Sequence, residues 1–306
     1  MMSYSEKQFR FAGADGVSIS GFRWADESVA PRAILQIAHG MGEHARRYPE
    51  PLVPLMAAGF VLYADDHRGH GYTAPSPEAL GDFGVDGAEA VVEDLARLTD
   101  LARAENPGLP LVLLGHSLGS LFAQAYVFDH AGKIDGLVLS GTAAFGDRAG
   151  PAKRLDEMNA EGPPPRTPYD WLSRDDAQVD KYIADPLCGF SRQPSAADSF
   201  ARVSARLRDE TEIAKIPKDL PIYIFVGDKD PINRDLELLH PLVNRYRAAG
   251  IRHLDVKIYA GGRHEMLNET NRDEVEADLL SWLLGATTYS RRRASMGSSR
   301  AARQEG

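Results

Sequence analysis

A chain of 306 residues, 43% hydrophobic and 26% charged, has the profile of a globular protein and is long enough for one large α/β domain with an insertion. Its net charge of −9 disfavours a nucleic-acid partner, and its single cysteine, Cys188, excludes an internal disulfide and suits a reducing compartment. No stretch approaches the roughly 18 apolar residues of a membrane span, and the charged N-terminus MMSYSEKQFRFAGADG has no signal-peptide core, so the chain reads as cytoplasmic.

Strand-like runs recur with helix-like runs between them. Residues 17–24 alternate and read as a sheet-edge strand. AILQIAHG (33–40), FVLYADD (60–66), LVLLGHS (111–117) and GLVLSG (136–141) follow, then PIYIFVGD (221–228) and LDVKIYAG (254–261). Most are apolar throughout, as strands buried on both faces of a parallel sheet should be. Helical spacing appears over 51–59, over 87–106 with Val91, Leu95, Leu98 and Leu101 on one face, over 236–249 and over 274–284. The alternation predicts a mostly parallel, doubly wound α/β sheet.

Residues 142–217 break the alternation and hold EGPPPRTP (161–168), which is neither helix nor central strand. The gap reads as a helical cap inserted into a core made of 1–141 and 218–286. The last segment, 287–306, is rich in Ser, Arg and Ala without periodicity. It reads as a disordered basic tail, with Arg291, Arg292 and Arg293 as its basic cluster.

Ser117 lies between Gly115 and Gly119 where a strand gives way to a helix, the pattern G-x-S-x-G. The turn there is too tight for neighbouring side chains, so the serine is held exposed above the strand end as a candidate nucleophile. A serine hydroxyl needs a base, and the base needs an orienting acid. Two later strands run into Asp228-Lys229-Asp230-Pro231 and into Gly261-Gly262-Arg263-His264. The chain order is therefore Ser117, acid, His264. Both aspartates are candidates for the acid. Asp230, past the strand end, is placed to turn towards His264, and Asp228 is placed to bond loop amides. Oxyanion donors are expected from the backbone N–H of Leu118, next after the serine, and of Met41 in the loop AHGMGEH (38–44). No H-x-x-x-H helix or cysteine cluster supports a metal site, and the chemistry calls for no cofactor.

HGMGEHARRY, DDHRGHG and GHSLGS, taken with that strand series, resemble the α/β-hydrolase fold. Within it, they resemble the monoacylglycerol lipase and bacterial lysophospholipase group, also classed with serine aminopeptidase S33-type hydrolases. The resemblance runs from about residue 9 to 284 and is weakest in the cap. It implies a serine hydrolase acting on a monoacylglycerol, lysophospholipid or related small lipid ester through an acyl-enzyme. Ser117 would be the nucleophile, Asp230 rather than Asp228 the acid, His264 the base, and Met41 and Leu118 the oxyanion donors. His39, Gly40 and His116, with the cap aromatics Trp171, Tyr182 and Phe190, are expected against the substrate. The polar cap over 146–180 lacks a wide apolar face, which limits any membrane contact through it to a transient one. Peptidase, thioesterase and cofactor-free perhydrolase chemistry use the same residues, and a non-catalytic ligand-binding relative is the alternative from another class.

Overall fold

The computed structural model describes residues 4–84, 86–145, 158–159, 164–234 and 236–304, with side chains as far as Ser290. Eight strands form one sheet: β1 (Ser5–Ala12), β2 (Ser18–Ala25), β3 (Ala33–Ala38), β4 (Phe60–Asp65), β5 (Leu111–His116), β6 (Gly136–Ser140), β7 (Ile222–Gly227) and β8 (Leu254–Tyr259). Their spatial order is β1-β2-β4-β3-β5-β6-β7-β8. The first two strands run antiparallel to their neighbours and the other pairings are parallel.

Burial follows position in the sheet. Every residue of β3 to β7 is buried, whereas β8 closes one edge half-exposed. The other edge corrects the expectation for residues 17–24. That segment is β2, an interior strand, and the edge is β1, whose charged and polar residues mostly face solvent. Charge along an edge strand discourages pairing with another chain, and it also hides the strand from a reading based on apolar alternation.

Helices cover both faces. On one, α2 (Gly87–Glu105), α3 (Leu118–Asp129), α5 (Ala197–Arg206) and α7 (Leu239–Ala248) bury Val91, Leu95, Phe122, Phe200 and Leu242 against Leu111, Leu113 and Ile224. On the other, α1 (Val53–Ala57) and α8 (Arg272–Gln304) bury Leu55, Leu279 and Leu283 against Val112, Leu114 and Phe225. Alternate β5 residues thus serve opposite layers, as the two-residue period of a strand requires. The start of α7 is later than the spacing suggests because Leu236 takes φ 72°, in the left-handed region that no helix can include.

The insertion between β6 and β7 divides by its packing. Trp171, Leu172 and Tyr182, the last on α4 (Asp176–Ala184), join Ala143, Ile232 and Leu238 in a small cluster of their own. Phe200, Val203, Ile213 and Ile216, from α5 to just beyond α6 (Glu210–Ala214), instead belong to the main core beside α2. A boundary at 217 therefore cuts off part of the core layer. Residues 161–163 of the proline-rich segment, and much of the polar stretch ahead of it, lie outside the described residues.

The tail departs from its compositional reading. Helix α8 continues through 287 to Gln304. Thr287 is buried and its hydroxyl donates to the Leu283 carbonyl at 2.8 Å; Ser290 donates to Asp135, and the Tyr289 ring lies 5.2 Å from His253. A helix nucleated by the packed first turns extends cheaply through Ala and Arg, both good helix formers. The side chains of Arg291, Arg292 and Arg293 are outside the described residues. Among the described residues no helix is long and apolar enough to cross a membrane.

Candidate active site

The turn from β5 into α3 places Ser117 at φ 51° and ψ −118°, a conformation that residues with a side chain rarely adopt. It costs about 1–3 kcal/mol and persists only where its surroundings impose it. Here they do. A Cβ on Gly119 would sit 2.0 Å from the Ala38 carbonyl oxygen, and one on Gly115 2.5 Å from that of Gly119, so the turn closes only with glycine at both points. The Ser117 amide donates to the Ser140 carbonyl at 2.9 Å, which ties the turn to β6.

Beyond β7, Asp230 is fully buried. One carboxylate oxygen accepts from the Ile232 amide at 2.8 Å and the other lies 2.9 Å from Nδ1 of His264. Asp228 is less buried and accepts from the Gly261 amide at 2.8 Å, which braces the loop after β8. Of the two aspartates, only Asp230 meets the histidine. Burial works to lower the pKa of His264, but the charge and hydrogen bond of Asp230, helped by Glu265 and Glu43, outweigh it and hold the group above its ordinary value.

Ser117 and His264 line one small cavity of about 10 Å³, together with Gly40, Met41, His116, Trp171 and Tyr182. Trp171 covers the His264 ring at 4.9 Å between centroids, and the Tyr182 hydroxyl donates to the Gly42 carbonyl at 2.8 Å. Cap and histidine loop are joined through backbone as well, with the Glu265 amide donating to the Leu172 carbonyl at 2.8 Å. Among the described residues, the backbone N–H groups of Met41 and Leu118 have no hydrogen-bond partner in the protein. The Gly40 amide is already taken by Glu43 Oε1 at 2.5 Å.

Two of the residues expected against substrate do not reach the cavity. The His39 ring is fully buried, with Nδ1 2.8 Å from the Gly40 carbonyl and Nε2 accepting from the His67 amide at 3.0 Å. It supports the loop from beneath. Phe190 packs on His70 at 4.9 Å, away from the cavity. His116 does line it. Burial, followed by the neighbouring His264, lowers its pKa to about 4, so it is neutral at physiological pH.

Three charged residues in and beside the cavity were given no role from sequence: Glu43, Arg47 and Glu265. Arg47 donates to Glu43 at 2.7 Å and to both oxygens of Glu265 at 2.7 Å. A second small cavity of about 20 Å³, lined by Arg47, Tyr48, His116 and Ser140, shares Glu43 and Glu265 as walls. A visible signal existed, since two of the three stand in the quoted loop HGMGEHARRY.

Donor atoms of His44, Asp185 and Cys188 come within 4.8 Å of one another. However, His44 Nε2 and Asp185 Oδ2 are 2.8 Å apart, closer than the roughly 3.3 Å that separates two ligands of one tetrahedral zinc. As arranged, they form a hydrogen-bonded pair rather than a coordination site. Burial raises the Cys188 thiol well above its ordinary pKa, away from the thiolate that a metal would need.

The chain is similar to known ester hydrolases. The chain is 32% identical over 290 residues to a monoacylglycerol lipase of Mycolicibacterium smegmatis, covering 93% of this chain and 99% of that protein. A human monoglyceride lipase is 32% identical over 166 residues, about half of each chain. The crystal structure of a thermostable carboxyl esterase from Bacillus coagulans, in complex with glycerol, matches with a TM-score of 0.83 at 30% identity, covering 92% of this chain and 99% of that one. The sheet and its flanking helices are therefore an α/β-hydrolase fold. Residues 29–271 match the family described as serine aminopeptidase, S33, and this chain belongs to that family.

Proposed function

We propose that the protein hydrolyses a carboxylic ester of a monoacylglycerol or a closely related small lipid, with Ser117 as nucleophile, His264 as base and Asp230 as the acid that orients it. The observation that carries this reading is one cavity lined by a strained, half-buried serine and by a histidine whose far nitrogen is held by a buried carboxylate. The relatives' names narrow the chemistry to esters.

In the reaction, Ser117 attacks the ester carbonyl while His264 takes its proton. The Met41 and Leu118 amides, which have no partner among the described residues, stabilise the oxyanion. His264 then protonates the departing alcohol, and water activated by the same histidine releases the acid. Asp230 keeps the imidazole in the tautomer that presents its unprotonated nitrogen to the serine, and it stabilises the imidazolium between steps. The chemistry needs no cofactor. The cavity encloses only about 10 Å³, far below the roughly 300–1,000 Å³ of the usual small-molecule pocket, so an acyl chain requires the cap around Trp171 and Tyr182 to open.

The test is hydrolysis of p-nitrophenyl esters from short to long acyl chains, with wild type beside Ser117→Ala. Turnover by wild type alone supports the assignment, and the chain-length optimum gauges the acyl pocket. Activity retained by Ser117→Ala, or an inactive wild type across the whole series, rejects it.

A further inference from the structure

Arg47 occupies an unusual place for a charge. Its side chain is 12% exposed, and it meets two carboxylates that are themselves 4% and 7% exposed. Nη1 donates to Glu43 Oε2 and Glu265 Oε1, and Nη2 donates to Glu265 Oε2, all at 2.7 Å. Burying an ion triad is costly, and well-packed apolar side chains often serve stability as well or better. Its presence beside the cavity calls for a reason other than stability.

The partners of each carboxylate supply one. Glu43 uses its other oxygen to hold the Gly40 amide at 2.5 Å and to accept from the Tyr48 hydroxyl at 2.8 Å. Gly40 precedes Met41, whose amide has no hydrogen-bond partner among the described residues and is the proposed oxyanion donor. Glu265 follows His264 directly, and its Oε2 also accepts from Asn268 at 2.9 Å. The guanidinium lies over the Tyr182 ring at 4.9 Å, and Tyr182 in turn donates to the Gly42 carbonyl. One side chain therefore spans the loop after β3, the loop after β8 and the cap.

We propose that Arg47 is a positioning residue that locks the oxyanion loop and the histidine loop in register, so that the Met41 amide and the His264 ring address the same reacting carbonyl. The proposal rests on the Ser117–His264–Asp230 reading. The planar fork matters, because only a guanidinium binds Glu265 with two parallel bonds while reaching Glu43; a lysine ammonium supplies the charge without the fork. A slip of about 1 Å between donor and base is enough to cost on the order of a hundredfold in rate.

Arg47 also sets the charge that His264 feels. The groups facing the imidazole are Asp230, Glu265, Glu43 and His116, and both glutamates favour its protonated form. Arg47 neutralises part of that influence. Without it, the two carboxylates act uncompensated and His264 stays protonated to higher pH.

The experiment compares Arg47→Lys, Arg47→Met and Ser117→Ala on a short p-nitrophenyl ester across pH, with folding checked by circular dichroism and thermal unfolding. Arg47→Lys is expected to lower kcat at least tenfold with KM within threefold and with the acid limb of the profile unmoved. Arg47→Met is expected to lower kcat further and to move the acid limb upward by half a pH unit or more. If Arg47→Met does not fold, the Lys variant decides alone. A folded Arg47→Lys with kcat within twofold of wild type overturns the proposal, as does a loss that appears only in KM. Activity in Ser117→Ala overturns the site reading instead, so the two failures are distinguishable.

Discussion

Replacing Asp230 with Asn tests the core of the mechanism. The carboxylate lies 2.9 Å from His264 Nδ1, with 0% and 2% of the two side chains exposed. When His264 takes the serine proton, it becomes a cation whose charge centre is about 4 Å from that of the carboxylate. At an effective dielectric of about 20, this attraction is about 4 kcal/mol, roughly a thousandfold in rate. The amide also permits the wrong imidazole tautomer, which brings the expected loss in kcat to about 10³–10⁴-fold. Asp228→Asn is the control. Its contact is a hydrogen bond accepted from the Gly261 amide, which an amide oxygen can keep, so a loss of only a few-fold is expected. The pH profile adds a second reading. Catalysis needs neutral His264, so wild-type kcat/KM rises with pH through a value above the ordinary 6.5. Without the Asp230 charge, the cost of burying a cation dominates and the acid limb moves down. The assay is p-nitrophenyl ester turnover for both variants from pH 5 to 9. If Asp228→Asn costs more than Asp230→Asn, or if Asp230→Asn keeps a tenth of wild-type kcat, the reasoning fails.

Other outcomes follow from the same contacts. Met41→Leu should keep kcat within about tenfold, because the donor is a backbone amide; complete loss in a protein that still melts cooperatively would give the side chain a chemical role. Gly119→Ala should lower stability by about 2 kcal/mol or more in urea titrations, since its Cβ would sit 2.0 Å from the Ala38 oxygen. Stability should fall on acidification below pH 6.5. His39, His70 and His116 are buried with lowered pKa values, about 3 for His70 and about 4 for His116. The unfolded chain binds protons that the native state refuses, and three such groups give a slope approaching about 4 kcal/mol per pH unit between pH 6 and 5, which Glu276, pushed up to about 7 by burial, offsets by about a third. His264, raised in the native state, has the opposite sign, and its stabilisation is fully present below 6.5 and lost at higher pH. A urea midpoint that is unchanged or higher at pH 5 than at pH 7 would refute this. Ending the chain after residue 286 should cost about 1–2 kcal/mol through the Thr287 and Ser290 contacts, whereas ending it after 290 should change the melting temperature little.

The sequence by itself determined the parts in which local chemistry and global position agree. Short apolar runs bounded by turn residues read as central strands, and G-x-S-x-G between such a strand and a helix reads as a tight turn presenting Ser117 as a candidate nucleophile. Strand ends also pointed to Asp230 and His264 as partners, because parallel strands deliver the loops after their carboxyl ends to one side. What sequence could not resolve depended on contacts between segments far apart in the chain. β1 escaped notice because its edge position, not its composition, makes it a strand. The tail looked disordered because its helicity comes from continuity with a docked helix. His39 and Phe190 carried suitable chemistry, but tertiary packing turned both away from the cavity. Arg47, four residues from Glu43 and 218 from Glu265, becomes a joint only when folding brings the two loops together. Local preference is encoded within a few residues, whereas the choice of partner for a long charged side chain is made by the whole fold.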